Sequence, residues 1–373
     1  MIAPIVVALA VGFLGWAFQA LKPPPPKICG SPGGPPITSP RVKLNDGRHL
    51  AYREAGVPKE EAKYKIIVVH GINSSKDLSL PIPQGELPPH PFCGMAHVAF
   101  FAKTGWISSN PCGAWPGRYN FGQQELIEEL KIYLLFFDRA GYGESDPYPS
   151  RSVKSEAFDI QELADQLQLG SKFYVFGLSL GAYPIWSCLK LSGASLVAPF
   201  LNFWWPIFPA NLSREAFRRL PSSYRRTLQI AHYTPLLFYW WMTQTWFPSL
   251  TTDEGAMFGD QDLEIVKSLL EAPSVGQEKI KQQGVYESLH RDILAGYGKW
   301  EFDLLDINNP FPDNDGAVHI WQGYADRIVP FKLTRYISEK LPWIRYHEVP
   351  DGGHLMFFKS ETCEAILRAL LLG

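Results

Sequence analysis

Cysteine is scarce in this sequence, and its arrangement excludes more than its number. The five cysteines among 373 residues (Cys29, Cys93, Cys112, Cys188, Cys363) are odd in number and scattered. They form no C-x-x-C pair and no Cys/His cluster, so nothing marks a zinc site, and no disulfide framework is expected. A single Cys93–Cys112 bridge stays compatible with the pattern. Net charge is also lacking. The formal value is −2, with no basic run, so there is no electrostatic case for a nucleic-acid partner. Charged residues make up 19%, a little below the usual share. There is no internal repeat.

What is present begins with a long uncharged run, "MIAPIVVALAVGFLGWAFQAL". Residues 2–21, about 20 in number, are enough to cross a bilayer as one helix. Lys22 and four prolines end the run. The expectation is a retained membrane anchor over 1–22, giving a membrane partner and an endomembrane location. Lys22 and Lys27 just after it favour a cytosolic main domain. A cleaved signal peptide, which would make the protein secreted, is the main rival. It lacks a basic n-region, and its best small-x-small site is poor. A buried N-terminal helix is the third option. Residues 23–40, rich in Pro and Gly, read as a semi-rigid linker.

From residue 41 onward the chain alternates two patterns. "YKIIVVH" and "IYLLFFD" are continuous apolar runs suited to strands covered on both faces, and "KFYVFG", "ASLVA", "AVHIW" and "IRYHEV" follow as further strand candidates. "DIQELADQLQL", the segment after Ser179, "PFKLTRYISEKL" and "SETCEAILRALLL" suit helices. "RVKL" and "RHLAYRE" flank Asn45-Asp46-Gly47 and predict an antiparallel opening pair. The alternation predicts an α/β fold, a mostly parallel sheet with helices on both faces, over 41–373. Two stretches interrupt it. Residues 200–310 are mainly helical and rich in Trp and Phe, which predicts a cap whose aromatics form its own core or line a pocket. Residues 84–123 show no period at all.

Chemistry concentrates at three points. "KFYVFGLSLGAYPIW" runs an apolar strand into G-x-S-x-G, with a helix-compatible segment after it. In that context Ser179 reads as a nucleophile on a strained turn. Gly177 and Gly181 let strand and helix approach closely. A serine nucleophile needs a base. His354, in "VPDGGHLMFF" after the last strand, can supply it, whereas the other eight histidines sit in unremarkable places. The base needs an acid to hold its tautomer. Asp326, in "GYADRIVP", fills that role, although turn-forming and surface-loop readings compete for Asp326 and His354 taken singly. As a set, the order Ser179, Asp326, His354 favours the triad. "VVHGINSS" supplies Gly71 at a strand end. The backbone N–H groups of Ile72 and Leu180 are the expected oxyanion hole. His70 itself reads as structural.

These stretches, with "FFDRAGYGESDP", resemble the α/β-hydrolase superfamily, and most closely its membrane-anchored plant members of esterase and lipase type. The resemblance implies an α/β-hydrolase fold with a helical cap insertion, and a tight structural turn at "DRAGYGES" in which Asp138 and Ser145 are not catalytic. It also carries two departures. Deleting residues 84–123 joins "LPIP" to "QELIEEL" and restores the family pattern, so this stretch reads as a retained intron or splice variant. It springs from the loop expected to form the oxyanion hole. The connection between Lys190 and Leu191 is also shorter than in such relatives.

The expected activity is hydrolysis of a carboxylic ester, lipophilic on the polarity of cap and anchor, with no metal or organic cofactor. A serine at the elbow argues against the epoxide hydrolases and haloalkane dehalogenases of the superfamily, which carry Asp there. Acyl transfer, with an alcohol in place of water, is a second enzymatic reading. A non-catalytic small-molecule receptor or inactive variant on the same fold is the reading from another class.

Overall fold

A computed structural model describes residues 11–12, 15, 19, 21–81, 124–187, 192–250, 257–271, 276–300, 302–313 and 316–373. The bulk of the expected anchor, the 84–123 stretch with Cys93 and Cys112, and the connection at 188–191 lie outside them. Among the described residues no helix is long and apolar enough to cross a membrane. Cys29 and Cys363 are free and buried.

The opening pair and the six later strand candidates become eight strands. They are β1 (Arg41–Lys43), β2 (His49–Gly56), β3 (Tyr64–Val69), β4 (Ile132–Phe137), β5 (Tyr174–Leu178), β6 (Gly193–Val197), β7 (Val318–Gly323) and β8 (Ile344–Val349). They form one sheet in the order β1-β2-β4-β3-β5-β6-β7-β8. β1 and β2 pair antiparallel, as do β2 and β4, and every later pairing is parallel. Gly47, at φ 92°, makes the turn between the first two strands.

Alternation along the strands splits the core in two. Ile67, Val69, Leu135, Phe137 and Val175 face one side, and Ile66, Val68, Leu134, Phe136 and Phe176 the other. Helices cover both. α1 (Gln124–Leu130) precedes β4, and α2 (Val153–Gln166) precedes β5. α2 starts on a reciprocal cap, in which Ser155 N–H donates to Ser152 Oγ (3.2 Å) and Ser152 N–H to Ser155 Oγ (2.9 Å).

Between β6 and β7 lie α3 (Ala210–Arg219), α4 (Ser222–Tyr233), α5 (Phe238–Thr243), α6 (Asp260–Glu271), α7 (Gln277–Ile280) and α8 (Arg291–Tyr297). α9 (Phe331–Lys340) joins β7 to β8, and α10 (Ser360–Leu372) ends the chain. α10 buries Cys363, Ile366, Leu367, Leu370 and Leu371, one stripe at helical spacing. The expected mostly parallel sheet with helices on both faces is therefore what the chain adopts.

Two details differ from expectation. The segment after Ser179 is not a continuous α-helix. It forms two 3₁₀ turns, Ser179–Ala182 and Pro184–Ser187, and Tyr183 N–H bonds back only three residues to Leu180 O (3.3 Å). Pro184 is the cause, because an α-helix would need its absent N–H to bond Leu180 O. The segment 23–40 has no regular structure, as its prolines predict, but it does not stand off as a spacer. Lys27 N–H donates to Gln283 O (2.9 Å), and Thr38 N–H and Oγ1 donate to the fully buried Glu144 carboxylate (2.7 and 2.6 Å). A carboxylate enclosed in this way needs donors, and the segment supplies them.

Candidate active site

The sheet's C-terminal edge gathers all three expected reacting side chains. Ser179 follows β5 directly, with φ 50°. That left-handed conformation costs a non-glycine residue on the order of 1–3 kcal/mol and is held only where the surroundings fix it. Here the glycines make room. A Cβ on Gly181 would lie 2.2 Å from Val69 O, and one on Gly177 would lie 2.3 Å from Ile185 Cδ1. Phe200 N–H donates to Ser179 O (3.0 Å), tying the turn to the segment after β6. A 3₁₀ turn this short supplies little helix dipole at Ser179, so the backbone strain and the neighbouring loops define the site.

His354 and Asp326 stand on loops after β8 and β7. His354 Nε2 lies 2.9 Å from Ser179 Oγ, and Nδ1 lies 2.9 Å from Asp326 Oδ2. With Nδ1–H donating to the carboxylate, Nε2 is the acceptor facing the serine hydroxyl. Asp326 is itself fixed. Its Oδ1 accepts from Ile328 N–H (2.8 Å) and Val329 N–H (2.9 Å), and its Oδ2 accepts from Gln322 Nε2 (3.0 Å). Burial alone would lower the His354 pKa. The Asp326 charge and hydrogen bond, with a contribution from Asp262, outweigh burial and raise it above 6.5. The Asp262 carboxylate also accepts from Leu355 N–H (2.8 Å), and a Cβ on Gly353 would overlap it. This buried carboxylate on α6 shapes the His354 loop, and no sequence pattern marked it.

The Gly71–Ile72 loop passes directly over the serine. A Cβ on Gly71 would lie 3.2 Å from Leu178 O and 3.4 Å from Ser179 Cβ. His70 holds this loop rather than reacting. Its Nε2 accepts from Arg139 N–H (3.1 Å), which leaves the proton on Nδ1, 2.7 Å from Gly71 O. Burial, reinforced by the Arg139 charge, keeps its pKa well below the ordinary range, so it is neutral. Arg139 Nη2 donates to the same carbonyl (3.3 Å). In a trans peptide the C=O and N–H point opposite ways. Fixing Gly71 O toward His70 and Arg139 therefore turns the Ile72 N–H away from them.

Arg139 belongs to a buried cluster beneath this loop. Its guanidinium and that of Arg151 share Asp292, on α8, and Glu156, on α2. Tyr142 Oη (2.6 Å) and Tyr183 Oη (3.1 Å) also donate to Asp292. Burial would raise the Asp292 pKa, but the two arginine charges hold it far below the ordinary carboxylate range. "DRAGYGES" thus does more than turn the chain. Asp138 binds Lys76 (3.1 Å) and Ser145 Oγ bonds Asp138 O (2.6 Å), both structural as expected, while Arg139 links the cap to the loop beside Ser179.

A cavity of about 200 Å³ opens on this assembly. Gly71, Ile72, Ser179, Leu180 and His354 form one wall. Phe200, Leu220, Leu228, Met242, Ile293 and Tyr297 supply apolar surface from the cap side. Other cap aromatics, including Phe203, Trp205, Phe238 and Trp241, are buried in the main core instead. Among the described residues no cluster of His, Cys, Asp and Glu has the makings of a metal site.

Comparison with known proteins agrees with this architecture. The chain is similar in structure to an enol-lactonase from Burkholderia xenovorans LB400, at 14% identity and a TM-score of 0.52, over 90% of this chain and 100% of that one. It is likewise similar to a carboxylesterase structure from Nitrososphaera gargenis, at 11% identity and a TM-score of 0.52, over 89% and 98%. Rv0554 from Mycobacterium tuberculosis gives 13% identity and a TM-score of 0.53, over 89% and 97%. At such identities the likeness shows the fold. Sequence comparison with curated proteins finds no match. The profile of the alpha/beta hydrolase family, however, matches residues 106–369, well over half of the sequence, and the chain belongs to that family.

Proposed function

We propose that the protein is a serine hydrolase that cleaves a carboxylic ester of a lipophilic substrate through an acyl-enzyme. One observation carries this reading: the hydrogen-bonded line from Ser179 through His354 to Asp326, at 2.9 and 2.9 Å, opens on an apolar cavity. His354 Nε2 takes the Ser179 proton as Oγ attacks the ester carbonyl. The N–H groups of Ile72 and Leu180, two residues that line the cavity, receive the oxyanion. Asp326 steadies the imidazolium, which then protonates the departing alcohol. Water, activated by the same histidine, releases the acid and frees Ser179.

A membrane-anchored setting fits the same reading. The uncharged run at 2–21 has the length of a spanning helix. In the cap, Tyr233, Leu236, Trp246 and Phe247 are exposed within a stretch, 233–250, that holds no charged residue. Such residues suit a lipid interface, and a lipophilic ester partitions to one.

A chain-length series of nitrophenyl esters tests the proposal, run with the full chain and with a version lacking 84–123. Hydrolysis that improves from acetate to longer acyl chains is expected. Preference for acetate contradicts the lipophilic substrate. Acyl products formed on added alcohols in preference to free acid point to acyl transfer. Absence of turnover in both proteins points to a non-catalytic binder.

A further inference from the structure

The cavity beside Ser179 is mostly apolar, and away from Ser179 and His354 its polar lining is Asn73, Ser74, Tyr224, Tyr297 and His290. His290 lines it and is only 5% exposed. Its Nδ1 is enclosed without a hydrogen-bond partner among the described residues. Enclosed polar nitrogens are nearly always paired, so an unpaired one on a side chain that lines a cavity marks a place where a ligand atom belongs. Burial lowers the His290 pKa to about 4, so near neutral pH the ring is uncharged. A neutral imidazole donates from one nitrogen and accepts at the other. It therefore suits a hydroxyl or a carbonyl, and it offers no positive charge to a carboxylate.

The ring is also held still. Phe238, Tyr286 and Tyr239 pack around it, with centroids 5.7, 5.8 and 6.4 Å away. It closes a π-helical turn, Tyr286–His290, in which Arg291 N–H reaches back to Tyr286 O. Such turns recur at functional sites because the widened turn re-aims the following side chains. Leu289, His290 and Ile293 thereby line the cavity, while Asp292 enters the arginine cluster. The ion pairs of Asp292 fix the position of its neighbour but one.

We propose that His290 reads a neutral oxygen on the substrate, distant from the scissile ester, so that the preferred substrate is an oxygenated apolar ester and not a plain hydrocarbon one. The inference rests on the serine-hydrolase reading of the same cavity. The contribution to specificity is asymmetric. A site that hydrogen-bonds a substrate hydroxyl rejects the analogue lacking it more strongly than an apolar site rejects one that carries it.

The test uses the full chain and nitrophenyl alkanoates in which one hydroxyl or keto group is walked along the acyl chain. At one position kcat/KM is expected to exceed that of the plain ester by about tenfold to a hundredfold. His290→Phe, which keeps an aromatic ring, is expected to abolish that preference while still hydrolysing the plain ester. His290→Gln is expected to keep a preference but move it along the chain. A flat series in the wild type, as when a water molecule alone satisfies Nδ1, overturns the proposal. So does a preference that survives unmoved in both variants. Binding of the same esters to Ser179→Ala, followed as shifts in melting temperature, separates the two readings. If the wild type turns over nothing, the hydrolase reading falls, and equal shifts by plain and oxygenated esters then overturn the role of His290 as well.

Discussion

Replacing Asp292 by asparagine removes one charge from a cluster that has no surplus. Arg139, Arg151, Glu156 and Asp292 are between 0% and 3% exposed, and their charges balance two against two. Asparagine keeps the shape of Asp292 but leaves two guanidiniums facing one carboxylate. Breaking a buried pair by removing one partner costs about 3–5 kcal/mol, because an uncompensated charge stays behind. Against a total stability on the order of 5–15 kcal/mol, this is a large share. For a chain of this size it corresponds to a fall in melting temperature of about 4–6 °C.

The pH dependence follows from the same carboxylate. Its folded pKa is depressed, so its contribution is present above about pH 4, its unfolded value, and is lost as pH falls toward the folded value. Asp292→Asn should therefore flatten the acid limb of stability against pH. Urea unfolding across pH measures both effects. Adding Arg151→Met to Asp292→Asn restores charge balance and should recover part of the loss, a non-additivity expected for groups in contact. Because Arg139 also holds Gly71 O, labelling of Ser179 by a fluorophosphonate, measured well below melting, should slow in Asp292→Asn. A variant within about 1 kcal/mol of the wild type, labelling at the wild-type rate, refutes the coupling between cap and loop.

Three other outcomes follow from the geometry. Asp326→Asn removes the charge that raises the His354 pKa and leaves the imidazole in the wrong tautomer, so kcat should fall by about 10⁴ while the fold survives; stopped-time ester assays beside a melting curve check this. In the proposed mechanism His354 is a neutral base, and its pKa is raised, so kcat/KM should rise with pH through a midpoint above 6.5, and a midpoint below 6.5 counts against the Asp326 contact. Gly181→Ala should destabilise by about 1–3 kcal/mol in urea unfolding, since the added Cβ would meet Val69 O at 2.2 Å and His70 O at 2.5 Å, both backbone atoms.

The fold was legible because parallel strands buried on both faces are written as unbroken apolar runs such as "YKIIVV" and "IYLLFF". The three side chains of the candidate triad were legible because each follows a strand-forming run on a short turn. The continuous helix after Ser179 failed at Pro184, where local pattern ignored a missing donor. Asp262 and Asp292 were invisible for a different reason. Each is one more acid in a polar helical stretch, and its partners lie far away in sequence: Leu355 for the first, Arg139 and Arg151 for the second. His290 looked unremarkable because nothing around it in sequence tells that its helix widens, or that its ring borders the cavity.

The central claim is that Ser179 is the nucleophile, and covalent trapping addresses it most directly. The full chain, Ser179→Ala and the version lacking 84–123 are treated with a fluorophosphonate probe, and the adduct is located by mass spectrometry of the peptides. The account predicts a single adduct, on Ser179, that is absent in Ser179→Ala. No adduct in either serine-bearing protein, or an adduct that persists in Ser179→Ala, contradicts it.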